Sequence, residues 1–362
     1  MVLPVYALLM IQLSMNLIFA DIGKKNNMNY FLENGYIDIA KILNRPYTFQ
    51  LVISARGTGK TYSGIKYLLD SKQKFIFMRR TQTQIDMIRD TETSPFVVND
   101  PNIVIKPINK YIAGVYNGEE NSDGIIDAVG KPIGLCMALS TISNIRGFST
   151  ADVKIIMFDE ITGEEHERMI KGERGKIIYN MYETINRNRE LNGLEPVKLI
   201  MFCNSDRIDA PILDALNVSD IIRKMESGGY NCYENTNRRL GVYWIGESPI
   251  SMRKKDTALY QMAQDEEFEK MAIENKFSYN QSDIKSMPLK EFHFLICGGG
   301  ISIYKHKDNG NYYVIDSEQG TPQTAEIILK NYRGRINQAI KKQKIYYQNL
   351  RAKNKFYQIL KM

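Results

Sequence analysis

The run Ser54-Ala55-Arg56-Gly57-Thr58-Gly59-Lys60-Thr61 holds the residues best suited to chemistry. Gly57 and Gly59 let consecutive backbone N–H groups turn toward one point, as a chain of anionic phosphates requires. Lys60 then reaches the terminal phosphates, and Thr61 offers a hydroxyl to Mg2+. The apolar stretch Leu51-Val52-Ile53 leads into the loop and a helical pattern leaves it, which is the context that phosphate binding needs. Ser54 stands where the first glycine of the usual pattern is expected, but a small residue still fits that turn. ATP and Mg2+ are the expected cofactors.

Hydrolysis also needs a metal ligand and a group that polarises water. Downstream, Ile155-Ile156-Met157-Phe158-Asp159-Glu160 is an apolar run ending in two carboxylates. Asp159 is expected to hold Mg2+ through its water shell, and Glu160 to orient and polarise the attacking water. An apolar run before Asp-Glu is by itself usually a strand end meeting solvent; behind a phosphate loop it carries more meaning. Another run, Leu199 to Cys203, ends at Asn204, whose amide can contact the γ-phosphate or the lytic water, although asparagine also ends strands simply to turn the chain. Charge that builds on the phosphoryl oxygens can be met by an arginine from a neighbouring subunit. Arg146, in Ile145-Arg146-Gly147, and Arg187, in Asn186-Arg187-Asn188-Arg189 on an expected helix, are the two candidates. A surface salt bridge is the plainer alternative for each.

Elements must bring these residues together. Phe49–Ile53, Phe75–Met78, Ile155–Phe158 and Leu199–Phe202 are too short for helices and too uniformly apolar for one-sided strands, so they read as buried strands of a parallel sheet. Helical segments lie between several of them, which makes the class α/β. Short helices are expected from Tyr30 to Leu43. Asn117-Gly118, Asp123-Gly124 and Gly130 mark inserted β-hairpins between Ile103 and Leu139, and Val242–Ile245 returns as a last strand. The expected organisation is an apolar leader over 1–27, an ATPase domain over 28–249, a helical linker over 250–276 and a small domain over 277–362. The last contains a β-meander of Phe292–Cys297, Ile301–His306 and Tyr312–Ile315, closed by one basic helix. The leader is long enough to span a bilayer, but Gln12, Ser14 and Asn16 interrupt it and no Lys or Arg precedes it. A membrane role is therefore not expected: either Met28 is the natural start and the leader is upstream sequence read through, or the leader is a disordered or partner-bound extension.

Bulk properties narrow the partners. Hydrophobic and charged fractions of 43% and 25% are those of an ordinary globular protein. The four cysteines, at 136, 203, 232 and 297, form no CxxC pair, which argues against zinc and disulfides and fits a reducing cytoplasm. The net charge of +7 sits in the tail: from Ile327 onward there are ten Lys or Arg and no Asp or Glu. Such tails most often meet nucleic acid or an acidic partner. Arg79-Arg80 either touch DNA phosphates or line the sheet edge.

With Phe75-Ile76-Phe77-Met78-Arg79-Arg80, Phe158-Asp159-Glu160, Arg187-Asn188-Arg189-Glu190 and Cys203-Asn204-Ser205, the phosphate loop resembles the DNA-packaging ATPases of small, short-tailed phages with protein-primed genomes. The likeness runs through 49–206 and more faintly through 277–318. It implies a RecA-like P-loop ATPase domain and a degenerate RNase H-like C-terminal domain related to that of large terminases. A two-metal nuclease needs several convergent carboxylates, and the meander offers Asp316 and Glu318 but no further strand-borne acids, so that domain is expected to be nuclease-inactive. The likeness also implies a homo-oligomeric ring, pentameric in the family, that moves double-stranded DNA through the portal of an empty procapsid in the host cytoplasm. Some family members dock through a structural RNA, on which this sequence is silent. Arg187 matches the family's trans-acting finger position, and Arg146 a basic position before the carboxylate strand. Three other readings compete: a conjugation or segregation translocase, an active terminase-like nuclease, and a P-loop switch that binds nucleotide without cycling. Glu160 speaks against the switch, which has little need of a water-polarising acid.

Overall fold

The computed structural model describes residues 29–89, 93–145, 147–163, 170, 176–204, 210–246, 248–254, 256–263, 283–342 and 344–360. The chain forms two compact units. The first holds the described residues of 29–204 and 224–263; the second holds 210–223 and 283–360.

The first unit is built on a nine-stranded sheet. Its strands are β1 (Phe49–Ser54), β2 (Phe75–Arg79), β3 (Ile103–Pro107), β4 (Ile112–Glu120), β5 (Ile126–Ala138), β6 (Ile155–Phe158), β7 (Lys198–Asn204), β8 (Cys232–Asn235) and β9 (Leu240–Ile245). They lie in the order β3-β4-β5-β2-β6-β7-β1-β9-β8. The six from β5 to β9 in that order are mutually parallel; β4 pairs antiparallel with both β3 and β5, and the edge strand β8 pairs antiparallel with β9. Residues 51–53, 75–78, 155–158 and 199–203 are all buried, which is why these strands read as unbroken apolar runs. The expected hairpins are β3-β4-β5, and Val242–Ile245 lies within β9.

Two local expectations change. The segment before the sheet contains one short helix, Ile39–Leu43, capped by the Asp38 carboxylate, and a β-bridge between Phe31 and Ile37. The start of the expected linker forms two short helices, Pro249–Lys254 and Ala258–Ala263. Residues 264–282 and the 1–27 leader lie outside the described residues. Among those described, no helix is long and apolar enough to cross a membrane.

The second unit carries a four-stranded sheet of β10 (Phe292–Gly298), β11 (Ile301–His306), β12 (Tyr312–Ile315) and β13 (Ile345–Tyr347), in that order. The first three form the expected meander, and β13 joins parallel to β12. The single closing helix is not observed. The helix Ala325–Lys341 is followed by β13 and then by a second helix, Leu350–Leu360. Tyr347 and Phe356 are buried and in edge contact, so apolar packing divides the basic tail into three elements. Asp214 ties the first part of this unit to the last, accepting from Ser219 Oγ and Asn354 Nδ2 at 2.6 Å each.

Candidate active site

Four strand ends meet at the carboxyl edge of the parallel sheet, where α/β folds bind ligands. Ser54 of β1 is in register with Asn204 of β7, and Phe158 of β6 with Met78 of β2 and Met201 of β7. β7 therefore lies between the strand that feeds the phosphate loop and the strand that carries the carboxylates. The resulting cleft of about 410 Å3 is lined by the loop residues 56–61 with Tyr36, Tyr62, Asp159, Glu160 and Asn204. Thus the loop, both acids and the asparagine, read separately from the sequence, share one cavity.

The loop is wound for anion binding. Gly57 and Gly59 have φ of 71° and 84°, and a Cβ on Gly59 would stand 2.5 Å from the Tyr36 ring. Gly59 serves as N-cap of the helix Lys60–Asp70, so the positive helix end and the loop N–H groups face the same space. Lys60 Nζ donates to the carbonyls of Ser54 and Ala55, both at 3.0 Å, and to Ser54 Oγ at 2.8 Å. Ser54 Oγ also lies 2.7 Å from Thr58 Oγ1. The departure from glycine thus has a local use: a buried hydroxyl that braces the loop and its lysine.

Asp159 is 1% exposed. Thr61 Oγ1 donates to its Oδ2 at 2.8 Å, and Arg79 Nη2 lies 2.8 Å from the same oxygen. Burial holds the Asp159 carboxyl above the usual carboxylate range, Arg79 opposes the shift, and Glu160 adds to it. Its Oδ1 is buried with no hydrogen-bond partner in the structure. A hydroxyl and a carboxylate in contact, with one buried oxygen unsatisfied, form a donor set that fits a hard divalent cation such as Mg2+.

Glu160 turns the chain out of β6 with φ of 55°, a left-handed conformation costing about 1 kcal/mol or more for a non-glycine residue. Ile161 then donates its N–H to the Phe202 carbonyl at 2.9 Å. The Glu160 Oε2 is 2.5 Å from Arg79 Nη1, so one guanidinium spans both acids. Arg79 is therefore turned onto the two acids, and Arg80 beside it is buried. The sequence leaves this undecided because it does not state that β2 and β6 are neighbours.

The arginine candidates behave differently. Arg187 is not on a helix: it caps Ile177–Asn186 with φ of 51°, is exposed, and donates to the Phe148 carbonyl at 3.0 Å. It does not line the cleft of its own subunit. Arg146 lies outside the described residues. Arg189 is buried and donates to the carbonyls of Glu195, Ala151 and Val153, a structural role. Sequence reasoning also missed Tyr36 and Tyr62, whose rings meet at 5.4 Å beside the loop. Tyr62, directly after Thr61, was the one available signal.

A phosphate loop, two carboxylates and a polar strand tip on neighbouring parallel strands define a P-loop ATPase with an extra strand between the loop and carboxylate strands. The model of the podovirus DNA encapsidation protein (Gp16) family matches residues 33–355, and the chain belongs to that family. Its fold is similar to that of the Phi-28 gp11 DNA packaging motor, with TM-score 0.58 and 17% identity over 90% of this chain and 98% of that one. It is likewise similar to a chain of the bacteriophage Phi-29 viral genome packaging motor assembly, with TM-score 0.61 and 17% identity over 92% of this chain and 99% of that one. No curated protein sequence matches. The protein is an ATPase that drives phage DNA packaging, and nothing favours the conjugation-type translocase or the active nuclease.

Proposed function

We propose that this cleft binds ATP with Mg2+ and hydrolyses it to drive double-stranded DNA through the portal into a procapsid in the host cytoplasm. The observation that carries the reading is the buried Asp159, in contact with the hydroxyl of Thr61 at the mouth of a phosphate loop. Loop N–H groups and Lys60 bind the phosphates, while Thr61 and Asp159 hold the metal, which supplies charge neutralisation when bound. Glu160 takes up the proton of the attacking water once Arg79 releases it, and Asn204 positions that water or the outer phosphate. The Tyr36 and Tyr62 rings suit a nucleobase.

The subunits act as a ring, pentameric as in the family resemblance. Arg187, exposed and outside its own cleft, suits delivery to a neighbouring site; Arg146 keeps an equal claim. In the second unit, Asp316 faces Lys355 at 2.5 Å and Arg351 at 3.4 Å, so its carboxylate is matched by cations of its own fold, which supports a nuclease-inactive role. Lys330, Arg333, Arg335, Lys341, Lys342 and Lys344 are exposed and supply a surface for DNA, or for a structural RNA. The test is a pair of variants. Lys60→Ala should abolish tight ATP binding, while Glu160→Gln should bind ATP·Mg2+ normally and hydrolyse it at least about a hundredfold more slowly. Equal loss of affinity in both would contradict these roles.

A further inference from the structure

Lys254 ends the short helix Pro249–Lys254 that follows β9. Its amine donates to the backbone carbonyl of Arg56, in the middle of the phosphate loop. It also lies against Gly57, where a Cβ would stand 2.7 Å from Nζ and 3.0 Å from Cε. The other end of the helix is held as well. A Cβ on Gly35 would stand 3.1 Å from Pro249 Cβ and 3.2 Å from Ile250 Cγ1, so the segment before the sheet packs closely on the start of this helix. That same segment donates the Ile37 N–H to the Thr58 carbonyl at 3.0 Å. The helix and the segment thus clasp the loop from outside the strand that feeds it.

The environment of the Lys254 amine is unusual for a surface lysine. Burial pulls its pKa below the usual lysine value. Lys60 rests in a similar way on the carbonyl of Ala55, one residue earlier. Two amines therefore sit on adjacent carbonyls of one loop. A cation partly withdrawn from water and held by a single dipole gains strongly when an anion arrives, because a charge-assisted pair replaces a weaker contact.

We infer that Lys254 is a second nucleotide-binding lysine, whose amine transfers from the Arg56 carbonyl to the phosphates of bound ATP and draws the Pro249–Lys254 helix onto the occupied loop. The inference rests on the reading of this cleft as the ATP site. It makes the segment after β9 a reporter of whether the loop is occupied.

Equilibrium binding of fluorescent ATP and ADP analogues to wild type, Lys254→Ala, Lys254→Arg and Lys60→Ala tests this directly. Lys254→Ala should weaken the ATP analogue by about ten- to a hundredfold, the range of a hydrogen bond to a charged group. The ADP analogue should lose less, and Lys254→Arg should recover most of the affinity. Lys254→Ala that remains folded yet binds the ATP analogue as well as wild type, or more tightly, would leave Lys254 a structural clasp and overturn the inference while the ATP site stands. Failure of wild type to bind would remove both. A second measurement needs no variant: acylation of Lys254 by an amine-reactive reagent, followed by mass spectrometry, should fall on adding ATP and Mg2+, and less so with ADP. Equal labelling with and without nucleotide would also overturn it.

Discussion

The two units place charge in opposite ways. At the sheet edge, Asp159 and Glu160 are gathered around the Arg79 guanidinium, with Asp159 at 1% and Arg79 at 16% side-chain exposure. In the second unit, the cations of the Leu350–Leu360 helix form part-buried pairs with Asp316 and Asp283, whereas those of Ala325–Lys341 and its end point into solvent. Buried charge is costly and persists where its field is used, as around a phosphoryl group. Exposed charge costs little and acts at longer range, in proportion to its number and against salt.

The largest expected effect lies on the buried side and crosses subunits. Lys60→Ala subunits keep their arginines but lack a working site, and Arg187→Ala subunits keep the site but lack the finger. Each alone should fall about a thousandfold in ATP turnover within assembled rings, and mixtures should recover part of it. If Arg187→Ala rings hydrolyse ATP normally, or no mixing ratio restores turnover, Arg187 is a structural contact to Phe148 and nothing more; the same mixing then falls to Arg146.

Next in size is Arg79. Removing one partner of a buried ion pair strands the other, so Arg79→Ala should cost about 3 kcal/mol without nucleotide. ATP with Mg2+ should return much of it, since the metal replaces the lost cation at Asp159. Thermal melts with and without ATP·Mg2+ read both effects. The corresponding change in the second unit, Lys355→Ala, should cost only about 1 kcal/mol or less, because the lysine is partly exposed and Arg351 still faces Asp316, and equal costs would erase the contrast between the units.

The smallest effect is that of the open cations. Changing Lys341, Lys342 and Lys344 together to Gln should leave the melting temperature near wild type and flatten the log-log salt dependence of duplex DNA binding by about 3. An unchanged slope would mean that these lysines are only solvated. Truncating the tail is a poorer test, because Tyr347 and Phe356 belong to the core of this unit.

The same contrast explains what the sequence could reveal. Strands buried on both faces announce themselves as apolar runs, and three of the four core runs lead into residues that line the cleft, so the placing of Lys60, Thr61, Asp159, Glu160 and Asn204 was legible. Strand order was not. Arg79 is two residues beyond Phe77 in sequence, but its partners come from β6, and only the pairing of Phe158 with Met78 brings them together. Lys254 and Tyr36 reach the loop from segments that lie after and before the sheet strands in sequence, with no motif to mark them. In the tail, a dense run of lysines hid the three-residue β13, whose apolar residues were too few to break a helical pattern.

The central claim is that ATP hydrolysis in this cleft drives DNA into a procapsid. Protection of DNA from added nuclease, measured with purified empty heads of the phage that encodes this chain, tests it most directly. The account predicts protection with wild type and ATP, and none with Glu160→Gln or without ATP. Protection that persists with Glu160→Gln, or wild-type ATP turnover beside empty heads that protects no DNA, would contradict it.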